Sequence, residues 1–272
     1  MKEIIIIKIG GSLIGKDLSN LTKDIKELYE SYNFIIVHGG GPQIDKLYKN
    51  LGKQPKIYQT PKGYKTRYSD KEAIDIIKMA LAGYANKTLV ELFQKESINA
   101  FGFCAADGRT VVGKRKSQIQ VLTQNGKRII LHDEYSGKDF TADLKIVNFL
   151  LENNYMPIIG SLAISYEGDL INSDGDRIAN TIALPLNCKR IISLTDVNGI
   201  FKDKEFKSLI KEIKFEEYEN YMKYLDGGMK KKVLAAIESL ELGINEVIIG
   251  SGLIERPVYS LINKLSGSCI HK

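Results

Sequence analysis

Apolar residues along this chain follow two rhythms. Ile4-Ile5-Ile6-Ile7, Phe34-Ile35-Ile36-Val37, Met156-Pro157-Ile158-Ile159, Ile191-Ile192 and Val247-Ile248-Ile249 are short unbroken runs. Runs without polar alternation predict strands covered on both faces, as in a parallel sheet between helices. Elsewhere apolar positions recur every three or four residues. Leu18, Leu21, Ile25 and Leu28 predict a helix over 17–31. Ile44, Leu47 and Leu51 predict another, opened by Pro42 and stopped by Gly52. Ile74, Ile77, Leu81, Leu89 and Leu92 mark a long helical stretch with Gly83 as its weak point. Further helices are predicted over 141–154, through Ile178, Ile182 and Leu186, from Gly227 through Val233 and Leu240, and over 257–265. Repeated strand–turn–helix units predict an α/β fold.

Several stretches break the rhythm. Residues 53–67 read as a basic loop. Ser69-Asp-Lys-Glu72 has capping-box spacing, with Ser69 as the cap. Gln118–Thr123 and Arg128–His132 flank Asn125-Gly126, a hairpin signal. Residues 156–165 read as one buried strand, 205–221 as a charged amphipathic stretch, and 268–271 as a last edge strand. With no disordered linker or short repeat, the chain reads as one α/β unit. Its lobes, about 1–170 and 171–272, meet near residue 170.

Composition narrows the class. The chain has 272 residues, 43% of them hydrophobic, enough for a core of ordinary size. No apolar window is long enough for a membrane span, and the N-terminus lacks signal-peptide organisation, which predicts a cytoplasmic protein. The three cysteines, Cys104, Cys188 and Cys269, fit no zinc or disulfide spacing, and the histidines form no metal-ligand pattern. A net charge of +6 does not demand nucleic acid. Its distribution says more. Residues 53–67 hold five basic residues and 109–128 hold six, with no acid in either block. Such blocks are solvated loops or a docking face for something negative.

The candidate chemistry sits where strands end. Lys8 interrupts the isoleucine run just before Gly10-Gly11, and a charge there needs a partner or a route to water. Gly10 to Lys16 matches Walker A spacing, but Asp17 stands where Ser or Thr should hold Mg²⁺, so that reading is rejected. His38-Gly39-Gly40-Gly41-Pro42 exposes backbone N–H groups at a helix start, suiting phosphate or carboxylate. Asn172, Asp174 and Asp176 crowd another helix start, either as caps or as partners for cations. Thr195-Asp196 ends a strand, as an ordinary turn or a nucleotide contact. Gly227-Gly228 precedes Lys230, Lys231 and Lys232 at a helix N-terminus, where cations are unfavourable unless an anion binds. Lysines, a glycine cradle and an acid between them are the parts phosphoryl transfer needs.

These segments, in this order, resemble the amino acid kinase family: Lys8-Ile-Gly-Gly11, His38-Gly-Gly-Gly41, Leu81-Ala-Gly-Tyr-Ala-Asn-Lys87, Asn172-Ser-Asp-Gly-Asp176, Leu194-Thr-Asp-Val-Asn-Gly199 and Gly228-Met-Lys-Lys-Lys-Val233. The resemblance covers essentially the whole chain. It implies a three-layer αβα sandwich with a mainly parallel open sheet, amino-acid substrate on the N-lobe and ATP on the C-lobe. It implies ATP- and Mg²⁺-dependent phosphorylation of a side-chain carboxylate. Lys8 and Lys232 would stabilise the transferring phosphoryl group, and Asp176 would hold both lysines. Gly10 and Gly11 would contact the phosphates. Gly40, Gly41, Arg67 and Asn172 would bind substrate, and Thr195 and Asp196 would lie by the nucleotide. A homodimer is expected.

Within the acetylglutamate kinase branch, Gly63-Tyr-Lys-Thr-Arg-Tyr-Ser69 and Tyr135-Ser-Gly-Lys138 are similar to the archaeal LysW-aminoadipate/LysW-glutamate kinases. LysW is a small acidic carrier presenting its substrate on a C-terminal glutamate. The two basic blocks then become its expected docking rim, including Lys114, Arg115 and Lys116. A kinase for free N-acetylglutamate is the alternative within the family, and a regulatory amino-acid-binding protein the alternative outside enzymes.

Overall fold

The computed structural model describes every residue except Met1, Lys62, Gln124, Lys204 and Asp226. The isoleucine run forms strand β1 (Glu3–Ile9), whose Ile5, Ile6, Ile7 and Ile9 are fully buried. Ile6 packs into one core cluster, and Ile5, Ile7 and Ile9 into another on the opposite face. This two-sided burial is why the run shows no polar alternation. The next elements are α1 (Ser19–Leu28), β2 (Tyr32–His38) and α2 (Gly41–Asn50).

The basic stretch after α2 is not simply a loop. It forms a hairpin of β3 (Ile57–Gln59) and β4 (Lys65–Arg67), pairing Ile57 with Arg67. Its strands are too short for alternation to show, and Lys62 lies outside the described residues. Helix α3 (Lys71–Lys78) is capped by Asp70, whose Oδ1 accepts the Ala73 N–H at 2.9 Å. Ser69 does not cap it: it is buried, its Oγ accepts from Asn172 and its N–H is donated to Glu134. Around Gly83 the helix widens into a π-helical segment, Met79–Ala85, before α4 (Asn86–Lys95).

Strand β5 (Ala100–Cys104) precedes a long antiparallel hairpin, β6 (Val111–Leu122) and β7 (Arg128–Ala142). Because β7 continues through Thr141-Ala142, helix α5 (Lys145–Glu152) starts later than its apolar spacing predicts. The single strand expected over 156–165 is two. β8 (Met156–Gly160) belongs to the main sheet and β9 (Leu162–Ser165) to a second one. The rest of the chain runs β10 (Leu170–Asn172), α6 (Gly175–Ala183), β11 (Arg190–Thr195), β12 (Ile200–Phe201), β13 (Leu209–Ile210), β14 (Glu212–Lys214), α7 (Tyr218–Met222), α8 (Gly227–Glu241), β15 (Glu246–Ser251), α9 (Pro257–Ile262) and β16 (Ser268–His271).

The main sheet has the order β14-β16-β15-β11-β1-β2-β8-β5 and is parallel except between β15 and β16. The α/β class and mainly parallel sheet follow the sequence expectation. β16 does not: it lies second from the edge, because the short, charged β14 pairs outside it. The second sheet, β4-β3-β6-β7-β10-β9, closes partly on itself through β6 and β9. Strands β1, β2, β8 and β11 all end at one edge of the main sheet, where parallel α/β folds build ligand sites.

Candidate active site

Lys8 lies on the β1 face that Ile6 also occupies, in register with Val37 and Ser193. It is only 6% exposed, so its charge needs a fixed partner. Asp176, in the first turn of α6, supplies it with Oδ2 at 2.8 Å from Lys8 Nζ. Burial pushes the Asp176 carboxyl up, but Lys8 and then Lys232 outweigh it and hold it below the usual carboxylate range. Lys232, in α8, approaches from the other side. A side chain added at Gly10 would meet its Nζ at 4.0 Å. Burial and the neighbouring Lys8 charge depress the Lys232 ammonium to about 8, against the pull of Asp176. Two cations therefore converge on one carboxylate beside the Gly10-Gly11 turn.

The glycine turns interlock. A Cβ on Gly11 would come within 2.9 Å of Pro42 Cδ and 3.1 Å of the Gly41 nitrogen. One on Gly40 would strike Leu81 at 2.5 Å, whereas Gly39 and Gly41 face open space. Gly40 is thus demanded by packing, and Gly41 leaves backbone free for a ligand. His38 anchors this turn. It is fully buried, and burial drives its imidazole down to about 4. Asn86 Nδ2 donates to His38 Nε2 at 3.1 Å, so the ring proton sits on Nδ1 and is donated to the Gly39 carbonyl at 2.9 Å. The same Asn86 amide also donates to the Phe103 and Ile158 carbonyls. Asn86 thus ties the Leu81–Lys87 segment to the glycine turn.

Between these turns and the second sheet is a cavity of about 480 Å³. Lys8, Gly11, Gly40, Gly41, Arg67, Asn172 and Asp176 all line it. Arg67 pairs with Asp45 at 2.6 Å and lies over the Tyr48 ring, yet its buried Nη1 has no hydrogen-bond partner. Other parts of Arg67 line the cavity, where a guanidinium fits an anionic ligand. Asn172 is oriented by Ser69 at 3.4 Å. Thr195 and Asp196 stand apart from this cavity, at the end of β11. The Thr195 hydroxyl donates to Asp196 at 3.1 Å, and Lys16 reaches the other Asp196 oxygen at 3.5 Å. The Walker-like turn therefore joins strand ends of β1 and β11.

Some functional neighbours carry no sequence signal. Glu134 is fully buried and accepts the backbone N–H groups of Ser69 and Ser136, clamping the Arg67 loop to β7. Arg177 also lines the cavity, as do Lys65, Lys116 and Lys231 from basic runs that the sequence does show. The expected docking rim is split three ways. Lys114 is exposed and Lys116 enters the cavity. Arg115 instead serves the fold, bonding the Glu134 carbonyl and Asp169 and stacking 3.6 Å from the Tyr135 ring centroid.

A fold of this topology, with lysines and glycine turns at the strand ends, defines a phosphotransferase class. The model of the amino acid kinase family matches residues 3–251, and the chain belongs to that family. It is 34% identical over 258 residues to a LysW-aminoadipate kinase of Deinococcus radiodurans, covering 94% of this chain and 88% of that protein. It is 31% identical over 260 residues to a LysW-aminoadipate/LysW-glutamate kinase of Metallosphaera sedula, covering 95% and 97%. A carbamate kinase of Giardia shares the fold, with a TM-score of 0.66 at 17% identity over 100% and 99% of the two chains.

Proposed function

We propose that this protein transfers the γ-phosphoryl group of ATP to the side-chain carboxylate of aminoadipate or glutamate carried on LysW. The observation that carries this reading is the single cavity shared by the Lys8–Asp176 pair, two glycine turns and Arg67. The names of the full-length relatives supply the substrate class.

The acceptor is already an anion, so no general base is required. His38 is unsuited to be one, since it is buried with both ring nitrogens bonded. A carboxylate oxygen attacks the γ-phosphorus while the bond to the β-phosphate oxygen breaks, giving an acyl phosphate and ADP. Lys8 and Lys232 flank the transferring group, and Asp176 keeps their charges at working separation. Gly11 and Gly41 offer backbone N–H donors with no side chain in the way, whereas the Gly10 N–H is donated to the Leu194 carbonyl at 3.0 Å and Gly10 serves by leaving space beside Lys232. Arg67 and Asn172 hold the amino-acid carboxylate, and Thr195 and Asp196 lie by the nucleotide. Mg²⁺ fits best on the phosphates and water. Asp176 is committed to the lysines, and the described residues contain no group of three His, Cys, Asp or Glu side chains suited to a metal cage.

The test is phosphoryl transfer, trapped as a hydroxamate, with carrier-bound aminoadipate, carrier-bound glutamate and free N-acetylglutamate. Turnover on carrier-bound acceptors well above that on N-acetylglutamate is expected. The reverse preference overturns the carrier reading in favour of a free-substrate kinase.

A further inference from the structure

The reactive centre uses Lys8 and Arg67 of the cavity, and four further cations line it: the exposed Lys65 and Lys231, which meet each other where Lys231 Nζ donates to the Lys65 carbonyl, and Lys116 and Arg177. Lys116 projects from β6 where the ladder with β7 slips, between Arg115 opposite Gly137 and Ser117 opposite Glu134. A bulge re-aims a side chain, and here it turns Lys116 into the cavity rather than along the outer edge. Arg177 follows Asp176 in the first turn of α6 and lines the same wall. A cation in a helix's first turn opposes the helix dipole.

The nearby acids do not neutralise this pair. Both Glu134 oxygens are taken by the Ser69 and Ser136 backbone N–H groups. Asp169 holds Arg115. Asp174, Glu134 and Lys138 act on Lys116 only through space, and burial together with the Arg177 charge pushes the Lys116 ammonium below its ordinary range. A half-buried lysine and an exposed arginine, the latter set against the dipole of its helix, line one cavity with no acid bonded to either among the described residues, an arrangement that suits an anion.

We propose that Lys116 and Arg177 form a second carboxylate clamp, which receives a carboxylate of the acceptor's carrier arm that does not react. This rests on the carrier reading above. An amino acid attached by an amide to a C-terminal glutamate leaves one glutamate carboxyl free, whichever carboxyl forms the amide. An N-acetyl acceptor stops at the methyl group on its amide carbonyl and carries no carboxylate beyond it. The clamp therefore selects carrier-bound over acetylated acceptors at short range, independently of any contact with the carrier's folded part.

The test pairs two small acceptors with wild type and single variants. One acceptor is the amide-linked glutamyl–aminoadipate with its spare glutamate carboxylate free, and the other is the same compound with that group as a carboxamide. Wild type should favour the carboxylate by about 10–100-fold in kcat/KM, mostly through KM, as expected for a charge-assisted contact. Lys116→Met and Arg177→Met should each reduce that ratio to within about threefold, and Lys116→Arg should retain it. Equal losses on both acceptors, or a wild-type ratio near one with transfer to the carboxamide intact, overturn the clamp while the kinase reading stands. Absence of transfer to any acceptor, the carrier-bound ones included, overturns the kinase reading and the clamp with it.

Discussion

Asp176 Oδ2 stands 2.8 Å from Lys8 Nζ although 168 residues separate them in the chain. One end of a buried strand and the first turn of a distant helix thus share one charge pair, with Lys232 close enough to act on both.

Lys8→Ala and Lys232→Ala should each lower kcat by at least about a thousandfold, since each removes a charge that acts on the transferring group. Asp176→Ala should cost stability as well, because it leaves two neighbouring cations unscreened; breaking such a pair costs about 3–5 kcal/mol. Turnover and chemical denaturation on the same preparations separate the two effects. Wild-type kcat in both lysine variants would refute the proposed mechanism.

Lys232 gives a pH signature. Its folded ammonium titrates near 8, against 10.5 in the unfolded chain. Below 8 it is protonated in both states, and its unfavourable burial is fully felt. Between 8 and 10.5 only the unfolded chain holds the proton, so this destabilisation shrinks as pH rises. Catalysis moves the opposite way, because the neutral amine cannot assist a phosphate. In the free enzyme, kcat/KM for ATP should fall above pH 8, by about tenfold per unit once well past it. Nucleotide binding near pH 8 should take up protons, measurable by calorimetry in buffers of different ionisation enthalpy. Lys232→Met should abolish the uptake.

His38 predicts an acid limit. It is neutral in the fold down to about 4, while the unfolded chain protonates it near 6.5. Stability should therefore drop as pH falls from 6.5 towards 4, by on the order of 3 kcal/mol from this group. His38→Gln should flatten that part of the profile. Asn86→Ala removes the donor to His38 Nε2 and should lower the melting temperature at all pH values.

Arg67→Lys should raise KM for the amino-acid acceptor by about 10–100-fold with a smaller change in kcat, because a point charge cannot replace the two-pronged donor. Steady-state kinetics at saturating ATP decide this. A purely structural Arg67, held only by Asp45 and Tyr48, would change stability instead.

The basic hairpin divides cleanly. Lys114→Glu should weaken encounter with an acidic carrier and reduce its salt dependence without altering the melting temperature. Arg115→Glu should destabilise the protein, since Arg115 holds Asp169, the Glu134 carbonyl and the Tyr135 ring.

The parallel core was legible in the chain because each buried strand is a continuous apolar run and each glycine turn interrupts one. Those are local facts, so the α/β class, the strand ends and the glycine cradle follow from residues a few positions apart. The β3–β4 hairpin and β14 were not legible, since strands of three residues carry no period, and β14 is held by β16 far along the chain. Side-chain commitments were decided only in three dimensions. Ser69 has a cap's sequence spacing, but burial and Glu134 claim its N–H, and Asp70 takes the cap. Lys114, Arg115 and Lys116 are one charge run in the sequence. A slip in the strand ladder gives them to solvent, to the fold and to the cavity respectively. A sequence records that a charge exists, but its meaning depends on which charges the fold brings within a few ångströms, and for Lys8 that partner is Asp176.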